Sequence, residues 1–145
     1  MSSTLSQPIL SAHPVDVGLR SEAAVLARLV EAGYQVLLPF GFNHRFDMVI
    51  LRDGQFLTAQ CKTGRLRNGA VEFSARSVQS NTKGTRFRGY TGEVDLFIVF
   101  CPSNRGIYVI PAEDVPVTGM YLRVDPPRNG QSKRVRWAKQ YELPA

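Results

Sequence analysis

Asp53-Gly54 sits between two apolar runs and gives the strongest hairpin-turn signal in the chain. Such a pair accepts the positive φ angles that a two-residue turn between twisted strands demands. Met48-Val49-Ile50-Leu51 precedes it, and the stretch from Gln55 to Lys62 reads as the return strand. A two-residue turn sets the register outward: Arg52 opposite Gln55, Leu51 opposite Phe56, Ile50 opposite Leu57, and Asp47 opposite Gln60 at the open end. Residues paired in an antiparallel ladder hold their Cβ atoms roughly 4.5–5.5 Å apart on one face. Lys62 lies two residues past Gln60 and shares that face. A carboxylate, an amide oxygen and an ammonium group are thereby gathered on one surface. A slip of one residue would send Asp47 and Gln60 to opposite faces.

That group suits metal-assisted attack on a phosphodiester. Hard cations such as Mg²⁺ take oxygen ligands, commonly one or two carboxylates completed by water and substrate phosphate. Asp47 alone would read as a strand-opening residue bonded to a turn; with Lys62 beside it, metal binding is the expectation. Lys62 then stabilises charge developing on phosphorus or orients the attacking water; otherwise it is a surface lysine at a strand end. Gln60 offers a carbonyl oxygen to the metal or hydrogen-bonds across to Asp47. The Cys61 side chain points off this face, while its backbone carbonyl can reach the metal. Glu22 lies in a helical stripe, three residues after Leu19 and four before Leu26. An inward carboxylate needs a partner, so Glu22 either helps hold metal or water over the hairpin's open end or reaches solvent and pairs with Arg45.

The 145 residues carry 18 Lys and Arg against 12 Asp and Glu, a net charge of +6. One domain with a real core is the expectation at this length, and a basic surface points to a polyanion, most simply nucleic acid. His44 and Arg45 stand beside the hairpin; Arg65, Arg67, Arg76, Lys83, Arg86 and Arg88 form a middle basic group; Lys133, Arg134 and Arg136 belong to a group near the end, with Arg128 and Lys139. Each is a candidate DNA contact, with solvated surface charge the alternative. Cys61 and Cys101 lack metal-ligand spacing and read as reduced, buried thiols of a cytoplasmic protein. No run approaches the ~20 apolar residues of a membrane span, and no secretion signal is visible.

Residues 1–16 read as a flexible lead-in and 17–145 as one domain. Leu19, Ala23, Leu26, Ala27 and Val30 recur at helical spacing, predicting a helix from Val17 to Ala32 with Gly33 as its stop. A short strand follows over Gln35 to Pro39, then the hairpin, a basic loop from Lys62 to Asn68, and a short strand at Val71 to Phe73. Ser74 to Gly89 reads as a short helix and a loop. Val94 to Cys101 and Ile107 to Pro111 read as a closing strand pair, Ala112 to Val115 as a helical turn, and Tyr121 to Val124 as a last strand. The pattern predicts a small α/β domain with a mixed sheet.

Glu22, Asp47 and Gln60-Cys61-Lys62 resemble the motif of the PD-(D/E)xK nuclease superfamily: a Glu on the first helix, an Asp opening the second strand, and an acidic-x-Lys triplet on the third. The likeness extends through Gly18 to Val30, Gly33-Tyr34, Pro39, Arg45-Phe46-Asp47, Gln60-Cys61-Lys62-Thr63-Gly64-Arg65 and Gly89-Tyr90 through Asp95. It is similar to the branch that includes the bacterial group I intron homing endonuclease, whose members carry Gln in the acidic position. The resemblance covers Gly18 to Tyr141. It implies an αβββαβ core and a Mg²⁺-dependent endonuclease cutting double-stranded DNA, with Mn²⁺ able to substitute. It also implies a homo-oligomer, dimer or tetramer, reading a long, near-palindromic site. A structure-specific nuclease such as a Holliday junction resolvase, and a non-catalytic DNA-binding module, are the alternatives.

Overall fold

In the computed structural model the described residues are 4–81, 84–89, 93–130 and 134–144. One α-helix, α1 (Pro14–Glu31), is followed by β1 (Gln35–Leu37), β2 (Met48–Arg52), β3 (Gln55–Thr63), β4 (Arg65–Arg67) and β5 (Ala70–Ser74). β6 (Arg76–Asn81), β7 (Gly84–Gly89), β8 (Leu96–Cys101), β9 (Gly106–Pro111) and β10 (Gly119–Arg123) complete the strands, with 3-10 turns at Ala112–Asp114 and Ala138–Gln140.

The helix starts three residues earlier than its apolar spacing predicts. Pro14 supplies a helix-ready φ in the first turn, and the His13 ring accepts the Val15 N–H, capping a donor the helix leaves open. The buried face also differs. Ser21, Val25 and Leu29 point inward, while Leu19 and Val30, from the expected stripe, are 64% and 56% exposed. A polar anchor explains the rotation: the hydroxyls of Ser21 and Thr63 are 2.6 Å apart, fastening α1 to the end of β3. Glu22 is thereby turned to the margin of the packed face.

Five strands form the main sheet in the order β1-β2-β3-β8-β9. The hairpin register is the expected one, running from Arg52↔Gln55 to Met48↔Ala59. Asp53 and Gly54 both take positive φ, 50° and 76°, as a twisted two-residue turn requires. β3 and β8 pair in parallel, Gln60 beside Phe97 and Lys62 beside Val99, and the remaining pairs are antiparallel. The sheet is mixed, as expected.

The connection between the parallel strands departs from the expectation. Lys62 to Asn68 is not a basic loop: Thr63 ends β3, and Arg65–Arg67 forms β4. Asn68 and Gly69, with φ of 49° and 74°, make a second tight turn into β5. Ser74 to Gly89 holds no helix among its described residues; β6 and β7 form an antiparallel two-stranded ribbon instead. The layer that a second helix would supply is built by the sheet β10-β5-β4.

Each face of the main sheet therefore has its own core. Val25 and Leu29 of α1 pack with Met48, Ile50, Ala59, Ile98, Phe100 and Ile107 on one side. On the other, Val71, Phe73, Met120 and Leu122 from the small sheet cover Phe97, Val99, Tyr108 and Ile110. Gly64 sits at the joint between the sheets. A Cβ there would lie 2.6 Å from Val71 Cγ1 and 2.9 Å from Val99 Cγ1, both on fully buried valines. Gly64→Ala should overpack this joint and lower unfolding free energy by about 1–3 kcal/mol, measured by urea denaturation; a variant as stable as the parent would show that the two sheets can slide apart at no cost.

Candidate active site

β3 carries nine residues and lies between β2 and β8, so it has neighbours on both edges and packing on both faces. Alternation sends Ala59 and Cys61 to the helix side and Gln60 and Lys62 to the other. Asp47 lies one residue outside β2. Its backbone N–H donates to the Ala59 carbonyl at 2.9 Å, not to Gln60. Its carboxylate then turns inward, and Oδ2 accepts the Cys61 N–H at 2.7 Å. The anchoring of Asp47 to β3 is thus firmer than a plain ladder pair, and the direct Asp47–Gln60 pairing is replaced by side chain to backbone bonding at the next residue.

Lys62 extends its Nζ to the Arg76 carbonyl at 2.9 Å. Its ammonium is half-buried, and burial holds its pKa below the ordinary lysine value; Asp47 pulls it back up and the nearby Arg45 charge pushes it further down. Asp47 is held above the usual carboxylate range, first by burial, against the lowering effects of the Cys61 N–H bond and of Lys62. Glu22 is raised by burial and then by the negative charge of Asp47. The Cys61 thiol is pushed well up by burial and by the carboxylates of Asp47 and Glu22. These causes place Glu22, Asp47, Cys61, Lys62 and Arg45 in one electrostatic cluster. Gln60 shares the Lys62 face and stands beside Phe97 in the ladder.

The candidate DNA contacts are distributed over several elements. Arg45 forms an ion pair with Glu93, and His44 donates from Nε2 to the Phe40 carbonyl at 2.6 Å. Arg65 and Arg67 are exposed on alternate positions of β4, with Arg67 3.6 Å from Glu72. Arg76 opens β6, and Arg86 and Arg88 occupy alternate positions of β7. Arg134 and Arg136 line a cleft with Tyr121 and Arg123. Lys83 and Lys133 lie outside the described residues. Among the described residues, no three His, Cys, Asp or Glu side chains converge closely enough to hold a metal ion by themselves. The candidate oxygen donors are of another kind: two carboxylates, the Gln60 amide and the Cys61 carbonyl. Burial raises the proton affinity of both carboxylates, and the charge of Asp47 raises that of Glu22 further; a divalent cation relieves such groups.

Sequence reasoning did not find Ser21, Thr63 or the Arg76 carbonyl. The first two carry no signal beyond a polar residue at a buried spacing, and a backbone acceptor carries none.

One helix laid over a mixed five-stranded sheet, with carboxylates and a lysine assembled at the end of its central hairpin, defines a nuclease-type α/β domain. The family model of the PD-(D/E)XK endonucleases matches residues 12–144, and the chain belongs to that family. Among solved structures, the bacterial homing endonuclease I-Ssp6803I superposes with a TM-score of 0.71 at 18% identity, covering 91% of this chain and 89% of that one. At that identity the likeness establishes the fold. No curated protein matches the chain. Among the described residues no helix is long and apolar enough to cross a membrane.

The proton affinities set a pH dependence. Glu22 and Asp47 bind protons more readily in the folded than in the unfolded chain. Their contribution to stability is therefore full below the ordinary values of 4.5 and 3.8, and is lost as pH rises through the raised folded values. Lys62 is depressed, so its contribution is present above 10.5 and is lost as pH falls through its folded value. Near neutrality the cluster costs stability. Asp47→Asn keeps an acceptor for the Cys61 N–H and removes the charge. Without metal, the variant should melt above the parent at about pH 7, and the gain should vanish below about pH 4. Differential scanning calorimetry across that range is the check, and a lower melting temperature at neutral pH would contradict the assignment of burial as the dominant effect.

Proposed function

We propose that the chain is a Mg²⁺-dependent endonuclease that hydrolyses phosphodiester bonds in double-stranded DNA, at a specific site in the manner of a homing enzyme. The observation that carries this reading is the Asp47–Lys62 cluster, where a carboxylate anchored to the β3 backbone lies within the field of a half-buried ammonium. Asp47, the Gln60 amide oxygen and the Cys61 carbonyl would hold the cation, with Glu22 as a further ligand from α1. A bound Mg²⁺ supplies charge neutralisation at the attacked phosphate. Asp47 is oriented for this by the Cys61 N–H, so little reorganisation is left to the moment of reaction. Lys62 stabilises the negative charge that grows on the phosphoryl oxygens, or positions water, and its bond to the Arg76 carbonyl fixes the direction of Nζ. His44, Arg45 and the arginines of β4, β6 and β7 would position the duplex through phosphate contacts, which set register without reading sequence. Mn²⁺ would serve in place of Mg²⁺.

A double-strand break needs two such sites, and a homo-oligomer with twofold symmetry provides them. The outward apolar residues of α1, Val15, Leu19 and Val30, support self-association. The two free thiols accord with a cytoplasmic setting.

Asp47→Ala and Lys62→Ala should each lower cleavage by at least ~10²–10³ while leaving DNA affinity largely intact. Plasmid nicking with and without Mg²⁺, beside a filter-binding assay, reads both quantities. Near-normal cleavage by either variant would move the site elsewhere. If a four-way junction is cut and linear duplex is not, the resolvase reading replaces this one; binding with no Mg²⁺-dependent cleavage leaves a DNA-binding module.

Gln60→Glu should retain the fold and measurable activity, since the two side chains are nearly isosteric. A third carboxylate on this face repels Asp47 in the absence of metal and shares the cation in its presence. Its melting temperature should therefore rise more with added Mg²⁺ than the parent's, by ligand linkage. Identical Mg²⁺ responses in thermal melts would place Gln60 away from the metal.

A further inference from the structure

The loop between β1 and β2 presents two phenylalanines with nothing packed over them: Phe40 is 99% exposed and Phe42 93%. Singly exposed apolar residues are ordinary, whereas two fully exposed phenylalanines two residues apart on one short loop are not. The loop that carries them is braced. Gly41 and Asn43 both adopt positive φ, 96° and 61°, which turns the chain at the residue after each ring. His44 closes the turn by donating to the Phe40 carbonyl, and its ring lies 6.0 Å from that of Phe46, which packs into the core. Arg45 fastens the next residue to Glu93. The rings are thus held outward by a structured turn.

Chain geometry decides what they meet. Five residue steps lead from Phe42 to Asp47, a reach of at most ~18 Å even when fully extended. Duplex DNA advances ~3.4 Å per base pair. A phosphate bound at Asp47 therefore lies within about five base-pair rises of Phe42 and about seven of Phe40. The surroundings, with His44, Arg45 and a chain of net charge +6, favour a polyanion. Phenyl rings gain nothing from phosphate, and the apolar surfaces of DNA are its base faces.

We propose that Phe40 and Phe42 form an apolar wedge that enters a base step of the duplex beside the cleaved bond, unstacking it and kinking the helix there. Wedges of this kind trade the cost of unstacking for a bent duplex that contacts more protein. The inference rests on the nuclease reading for the position of the phosphate. It also gives the chain a way to sense the deformability of its target, since flexible pyrimidine–purine steps open at lower cost.

The test uses the full chain, without divalent metal, on a random-sequence duplex and on the same duplex carrying 2-aminopurine at successive positions. Phe40→Ala plus Phe42→Ala should weaken binding by about tenfold or more at every salt concentration. The log–log salt slope should be unchanged, because no phosphate contact is lost; Arg65→Ala, a phosphate contact, should flatten it by ~0.9. The parent should raise 2-aminopurine emission and the double variant should not. Phe42→Trp restores stacking and should restore both signals. Since both rings are exposed, the variants should melt with the parent. Equal affinity and emission for parent and double variant would overturn the wedge. So would a change in mass by light scattering, which would make the loop an interface between copies. Mg²⁺-dependent cleavage is read separately: its absence in the parent refutes the enzyme and leaves the binding comparison to decide the wedge.

Discussion

The constraint on which the rest depends is the alternation along β3. One strand must satisfy two cores at once, giving Ala59 and Cys61 to the helix side and Gln60 and Lys62 to the opposite face. A lysine in a central strand is costly to desolvate unless its ammonium finds partners. Asp47 on one side and the Arg76 carbonyl on the other supply them. The position of Asp47 follows from the same strand, through the Cys61 N–H. The geometry of the candidate site is therefore a consequence of how β3 is packed, and not of a separate loop that could drift.

The second layer explains how this chain closes a parallel β3–β8 pair without a second α-helix among the described residues. A crossover usually returns through a helix because a helix covers the sheet face while advancing the chain. Here β5 and β10 perform the covering, and their Val71, Phe73, Met120 and Leu122 enter the same core as Phe97 and Val99. The ribbon β6–β7 is left outside that layer, attached beside Lys62 through the first residue of β6. A basic arm is thus rooted at the ammonium it would serve.

The legible parts of the fold were those with local turn chemistry. Asp53-Gly54 determines its hairpin, and every expected pair from Arg52↔Gln55 to Ile50↔Leu57 is present. At Asp47 the ladder ends, and a carboxylate-to-backbone bond that no spacing rule describes takes over. The face of α1 was misread because its apolar residues outnumber its anchors: Ser21 orients the helix through a single hydroxyl contact with Thr63. The stretch Ser74 to Gly89 carries no helical apolar period, and its described residues pair as a two-stranded ribbon instead. Asn68-Gly69 did carry a hairpin signal, obscured by the charges of Arg65 and Arg67 on either side of Leu66.

The surroundings of Cys61 have a consequence for its own reactivity. A thiol placed beside two carboxylates would ordinarily invite zinc or copper, which favour sulfur. Burial and the fields of Asp47 and Glu22 favour its protonated form. The same shielding makes it a poor nucleophile toward peroxide or an alkylating agent. The chain thereby carries, at the centre of its signature triplet, a cysteine held in its thiol form.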